Sequence, residues 1–159
     1  MKLTSHLVLL LLGGCVFLSG CSTPPKVSDV IVTATGFRPA AAAQPRNHAT
    51  MILNFTNENV IAIAFSSATH ALYINGSYAG KAVSDIAIGL PPLATQTYEV
   101  TVVLENSAVV QQALAGPDQP MASYRLESVL QYSDGEDKYH LKAGGSGRVD
   151  VSGLEAAAR

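Results

Sequence analysis

From Asp29 onward, apolar and polar side chains take turns along the chain. In "ATMILNFTN", Met51, Leu53 and Phe55 fall on one side, Thr50, Asn54 and Thr56 on the other. "VIAIAF" repeats the pattern through Ile61, Ile63 and Phe65, and "HALYING" sets Leu72 and Ile74 against Tyr73 and Asn75. "TYEVTVVLE" places Tyr98, Val100, Val102 and Leu104 opposite Glu99, Thr101 and Glu105. "SYRLESVLQYS" does the same with Tyr124, Leu126, Leu130 and Tyr132 against Arg125, Glu127 and Gln131. A period of two marks a strand with one buried and one wet face. Such strands belong to antiparallel sheets, whereas strands of buried parallel sheets are apolar throughout. The β-branched "DVIVTATGF" adds a further strand.

The punctuation agrees. Asn75-Gly76 and Asp134-Gly135 are tight-turn dipeptides between strands. "GGSG", residues 144–147, is expected to turn the chain into "RVDVSG", and Pro91-Pro92 breaks it before the longest alternating run. One segment has a different period. "ENSAVVQQALAG" spaces Val109, Val110, Ala113 and Leu114 as a helix does, with Asn106 or Ser107 to cap it and Gly116-Pro117 to stop it. The pattern predicts an all-β dominated fold, an antiparallel β-sandwich with one short helix.

One interruption stands out. Asn57-Glu58-Asn59 separates two apolar runs. Asparagine bonds nearby backbone and tolerates left-handed geometry, so the triplet reads as a surface turn. Its surroundings, in order, are "LNFTNENVIAIAF", "LYINGSYAGKA", "GLPPLATQTYEVTVVLE" and "SAVVQQALAGPDQPMASYRLESVLQY". This succession resembles the late embryogenesis abundant group 2 proteins, also called the water stress and hypersensitive response (WHy) domain. In that family an apolar strand is followed by Asn-Pro-Asn and a second apolar strand. Glu58 stands where the family usually has proline, so the φ restraint of proline is absent here. The resemblance covers about Val27 to Val151. It implies a sandwich of the fibronectin type III/immunoglobulin-like kind, and a non-enzymatic role in desiccation or other water stress.

The front of the chain carries an address. Met1-Lys2 is a basic start, Leu7 to Leu12 is apolar, and small residues lead to "LSGC", Leu18 to Cys21. This is a secretory signal too short to span a bilayer permanently. Leu-Ser-Gly-Cys resembles the bacterial lipobox, which implies cleavage after Gly20 and lipidation of Cys21. Two or more acyl chains anchor a protein stably. The expected organisation is a lipoprotein signal peptide over 1–20, the lipidated cysteine and a short linker over 21–26, the domain over 27–153 and a tail over 154–159. Ser22, rather than aspartate, after the cysteine implies the outer membrane, facing the periplasm.

Composition narrows the function classes. The chain is 48% apolar and 14% charged, enough to fold around a core. Its formal charge is −2, and one unit more negative once Lys2 is removed, which argues against nucleic acid. Of its two cysteines, Cys15 leaves with the signal and Cys21 is lipidated, so no disulfide is expected. His48, His70 and His140 show no metal spacing and read as scattered surface residues. Acidic "DGED" (Asp134 to Asp137) lacks a calcium loop, and "GGSG" lacks the lysine of a phosphate cradle. No catalytic residue, metal site or cofactor is expected. The expected partner is the membrane, through Cys21. The alternative function is a binding module for an envelope protein or an apolar or lipid ligand, with "VIAIAF" and "SDIAIGL" either lining a groove or filling the core.

Overall fold

Alternation becomes strand almost wherever it occurs. The computed structural model describes residues 30–134 and 137–159. The signal, Cys21, the linker and Gly135 lie outside the described residues. The strands are β1 (Val30–Pro39), β2 (His48–Asn57), β3 (Ile63–Phe65), β4 (Ser67–Ile74), β5 (Ser77–Ser84), β6 (Ile88–Leu90), β7 (Thr95–Leu104), β8 (Met121–Asp134) and β9 (Asp137–Asp150). Helix α1 spans Ser107–Ala115. The chain ends in a 3-10 turn (Ser152–Leu154) and helix α2 (Glu155–Ala158).

The architecture corrects the expected sandwich. Seven strands run in the order β1-β2-β7-β5-β4-β8-β9 and close into a barrel. All of these neighbours are antiparallel except at the closure, where β1 meets β9 in parallel with Ile31 opposite Gly144. The runs β1-β2-β7 and β5-β4-β8-β9 are the halves a sandwich would hold apart, and here they join along both sides. On one side β5 pairs with β7 only through Gly80, Lys81 and Ala82. On the other lies the β1–β9 closure.

Glycine makes both seams. A Cβ on Gly80 would stand 2.1 Å from the Val103 carbonyl oxygen, and one on Gly145 would stand 2.7 Å from that of Val32. Only a residue without a side chain lets the backbones approach so closely at a barrel corner. "GGSG" is therefore no turn. It lies inside β9, pairs with β8 from Tyr124 to Glu127, and carries the barrel round to β1.

The interior is filled by the predicted faces. Met51, Leu53, Phe55, Leu72, Ile74, Val102, Leu126 and Leu130 are buried, while Thr101, Arg125 and Glu127 face outward. Strands β3 and β6 form a separate two-stranded ribbon whose Ile63, Phe65, Ile88 and Leu90 are buried. Because β3 follows β2 and β6 precedes β7, the ribbon lies at the end where β1 starts and β2 stops, here called the tip. At the opposite end, the base, α1 buries Val110 and Ala113. The predicted helix is present, but neither Asn106 nor any other side chain caps its start. The tail packs too, with Leu154, Ala157 and Ala158 buried.

Candidate functional site

The polar interruption is a fastening, and Asn57 is its centre. The residue continues the inward phase of Met51, Leu53 and Phe55, and it is fully buried. Its Nδ2 donates to the carbonyls of Ile61 at 2.9 Å, Pro91 at 2.9 Å and Leu90 at 3.3 Å. Two hydrogens serve three acceptors, so one bond is shared. Its Oδ1 accepts from the Asn59 backbone N–H and from Asn59 Nδ2, both at 2.9 Å. One amide thus ties the loop after β2 to the loop after β6. A surface turn describes Glu58, which is exposed, but not Asn57.

Around this fastening the tip is apolar. Leu93 N–H donates to the Asn59 carbonyl at 3.0 Å, which sets Leu93 beside the 58–60 loop. Val60 is 79% exposed and Leu93 70%. Leu93 has φ of +49°, a left-handed conformation uncommon for a bulky residue. Ile86, 69% exposed, lies in the loop that leads into β6.

Asn75 and Gly76 form the predicted hairpin turn between β4 and β5, with φ of +47° and +81°. Positive φ at both positions is the turn whose twist matches the flanking strands. Asn75 Oδ1 also accepts from Ser123 N–H at 3.1 Å and Oγ at 3.0 Å. The turn is therefore pinned to the start of β8.

His70 is a site that residue type alone concealed. It lies inside the barrel, not on its surface, with no exposure. Its Nδ1 is 2.7 Å from Ser128 Oγ, its ring stands edge-on to Phe55 at 5.8 Å, and its Nε2 has no hydrogen-bond partner. Burial lowers its pKa from 6.5 to about 4, because an imidazolium there would lose its hydration. His140 is exposed, and His48 begins β2 and contacts Asn47 Oδ1 at 3.1 Å. Among the described residues no cluster of three or more His, Cys, Asp or Glu side chains is arranged for a metal.

At the base, Pro39, Arg46, Ser152, Glu155, Ala156 and Arg159 line an open cleft of about 440 Å³. Arg159 is paired with Glu155 there. No described helix is long and apolar enough to cross a membrane. Cys21 and its flanks, on which the expected anchor rests, lie outside the described residues.

Comparison with known proteins identifies a relationship over the part of the chain that holds the fastening. No curated protein matches. Among solved structures, a protein from Arabidopsis thaliana is similar at 12% identity and a TM-score of 0.48, over 79% of this chain and 86% of that one. A protein from Archaeoglobus fulgidus is similar at 12% identity and a TM-score of 0.44, over 79% of this chain and 97% of the other. A candidate late embryogenesis abundant protein shares 13% identity at a TM-score of 0.45, over 92% and 84%. The family model described as late embryogenesis abundant protein matches residues 53–137, from the middle of β2 to the start of β9. That span includes Asn57, the ribbon, the Asn75-Gly76 turn, His70 and α1, so the chain belongs to the late embryogenesis abundant protein family.

Proposed function

We infer that this protein is a non-enzymatic, water-stress protective member of its family, of the WHy subgroup, held at the outer membrane by lipid on Cys21 and facing the periplasm. The observation that carries the reading is the family match, which spans the Asn57 fastening in place of the family's Asn-Pro-Asn turn. The physical side is consistent with it. A barrel whose interior is filled by its own side chains keeps its shape without a cofactor. Such a body, presented at high local concentration beside a membrane, separates other envelope proteins as water is withdrawn. The "LSGC" sequence and Ser22 supply the address.

The test is a drying and freeze–thaw assay. A labile reporter enzyme is treated with this protein or with an equal mass of an inert β-protein. Clearly higher recovery with this protein is expected. Equal recovery sinks the protective reading.

A further inference from the structure

Apolar side chains left outside the barrel are unevenly distributed. Val60, Leu93 and Ile86 all lie in loops at the tip, and Val83 is exposed near the end of β5, where that strand reaches the same end. Two of the loops concerned are not loose. The 58–60 loop and the Pro91–Leu93 loop are fastened to each other by Asn57 and by the Leu93–Asn59 backbone bond. Leu93 is held in left-handed geometry while its side chain stays in solvent. Backbone strain at an exposed, immobilised leucine points to a contact made elsewhere. Large apolar groups in a rigid protrusion are surplus to the core, which the ribbon already covers.

The chain itself indicates what covers them. Val30, where the described chain begins, pairs with Asn57, so the segment that leads back to Cys21 enters at the tip. Residues 21–29 reach at most about 30 Å, whatever shape they take. Strand β1, ten residues long, runs about 33 Å from tip to base before twist. An anchor at Cys21 therefore holds the tip within about 30 Å of its membrane, a reach shorter than β1, so the tip is the end that stays nearest the lipid. Exposed charge at this end is mixed, with Glu58 and Asp85 on the loops and Asp137, Lys138 and Lys142 on β9, so it supplies no strong attraction to anionic lipid and leaves the contact to the apolar side chains.

We propose that Val60 and Leu93 enter the surface of the bilayer that holds Cys21, so that the barrel stands on its tip with the base directed away. The proposal rests on the lipid-anchor reading above and adds an orientation and two inserting residues. Insertion uses side chains at the acyl–headgroup boundary, as peripheral proteins do, and needs no change in the barrel. It leaves the base cleft and the Asn75-Gly76 turn open to the aqueous side.

The experiment uses the full chain processed in a double-membraned bacterial host, with single substitutions Val60→Cys, Leu93→Cys and, at the base, Ser77→Cys. Each is labelled with an environment-sensitive nitrobenzoxadiazole dye and reconstituted into phosphatidylcholine vesicles. Mass measurement of the N-terminal peptide reads acylation of Cys21 in the same samples. The expected result is an acylated chain whose labels at 60 and 93 brighten several-fold and are quenched by shallow nitroxide lipids, at high salt as well as low. The label at 77 stays dim. An acylated chain with wet labels at 60 and 93 overturns the insertion and leaves the anchor intact. Bright labels that nitroxide lipids do not quench overturn it in favour of a protein contact. Absence of acyl mass on Cys21 overturns both the anchor and the orientation.

Discussion

Acidification should loosen this barrel through His70, by an amount the structure allows to be worked out. The imidazole has a folded-state pKa of about 4 because it is buried. An unfolded histidine titrates near 6.5. The unfolded chain therefore binds the extra proton first, and stability present above pH 6.5 is lost as pH falls through 4. At 1.36 kcal/mol per unit, the loss from pH 7 is about 2 kcal/mol at pH 5 and about 3 kcal/mol at pH 4. The ring has no acidic neighbour across the sheet to soften this, since His70 stands between Ala82 on β5 and Ser128 on β8. The comparison is between the native protein and the double variant His70→Leu, Ser128→Ala. The double variant removes the titrating ring without leaving the Ser128 hydroxyl buried and unpaired. Urea unfolding at pH 7 and pH 5 supplies the two free energies for each. Carboxylates contribute equally to both proteins and cancel. The native protein should lose about 2 kcal/mol more than the variant over that interval. Equal losses would refute the reasoning and mean that His70 is hydrated or otherwise able to carry its charge.

Two further predictions concern the fold's fastenings. Asn57→Ala removes the donor that serves three carbonyls and should cost about 3 kcal/mol in urea unfolding. The loss should appear first as faster amide exchange in residues 58–62 and at Leu93 and Ala94, and uniform exchange across the domain would count against the fastening. Gly145→Val places a side chain against Val32 and Thr33 at the closure and should cost about 3 kcal/mol or more. Ser146→Ala, one residue further at an exposed position, should change stability by less than about 0.5 kcal/mol. Similar costs for the two changes would show that the closure does not need its glycine.

The strands were legible because their signal is local and repeated. The inward faces of β2, β7 and β8 are those that alternation predicts. Helix α1 was legible for the same reason, its apolar residues recurring at helical spacing. Two inward polar residues are hidden from the sequence by one cause, namely that residue type outweighs phase. Asn57 lies two places beyond Phe55, and His70 two places before Leu72. Both fall on the inward face, yet both looked like surface residues because they are polar. Ser128, between Leu126 and Leu130, is the partner that the same phase would have supplied for His70. The barrel closure was not legible at all. "GGSG" satisfies every local rule for a turn, and only its pairing with Val32's strand, far away in sequence, makes it the middle of β9. Glycine at a corner and glycine in a turn look alike until the second strand is known.

The closure also sets an order of events. Among the described strands β1 is the first to be delivered to the compartment where the chain folds, and β9, which completes its pairing, is the last. Hairpin β1–β2 forms early, because its partners are close in sequence. The other edge of β1 then waits, with its N–H and C=O groups unpaired, until nearly the whole chain has been delivered. An unpaired edge is a template for pairing with another chain. The interval between the first strand and the last is when a crowded compartment is most dangerous to this protein. A chain interrupted before Gly144 never leaves that interval, so proteolysis or truncation near its end should yield aggregates rather than a smaller folded domain.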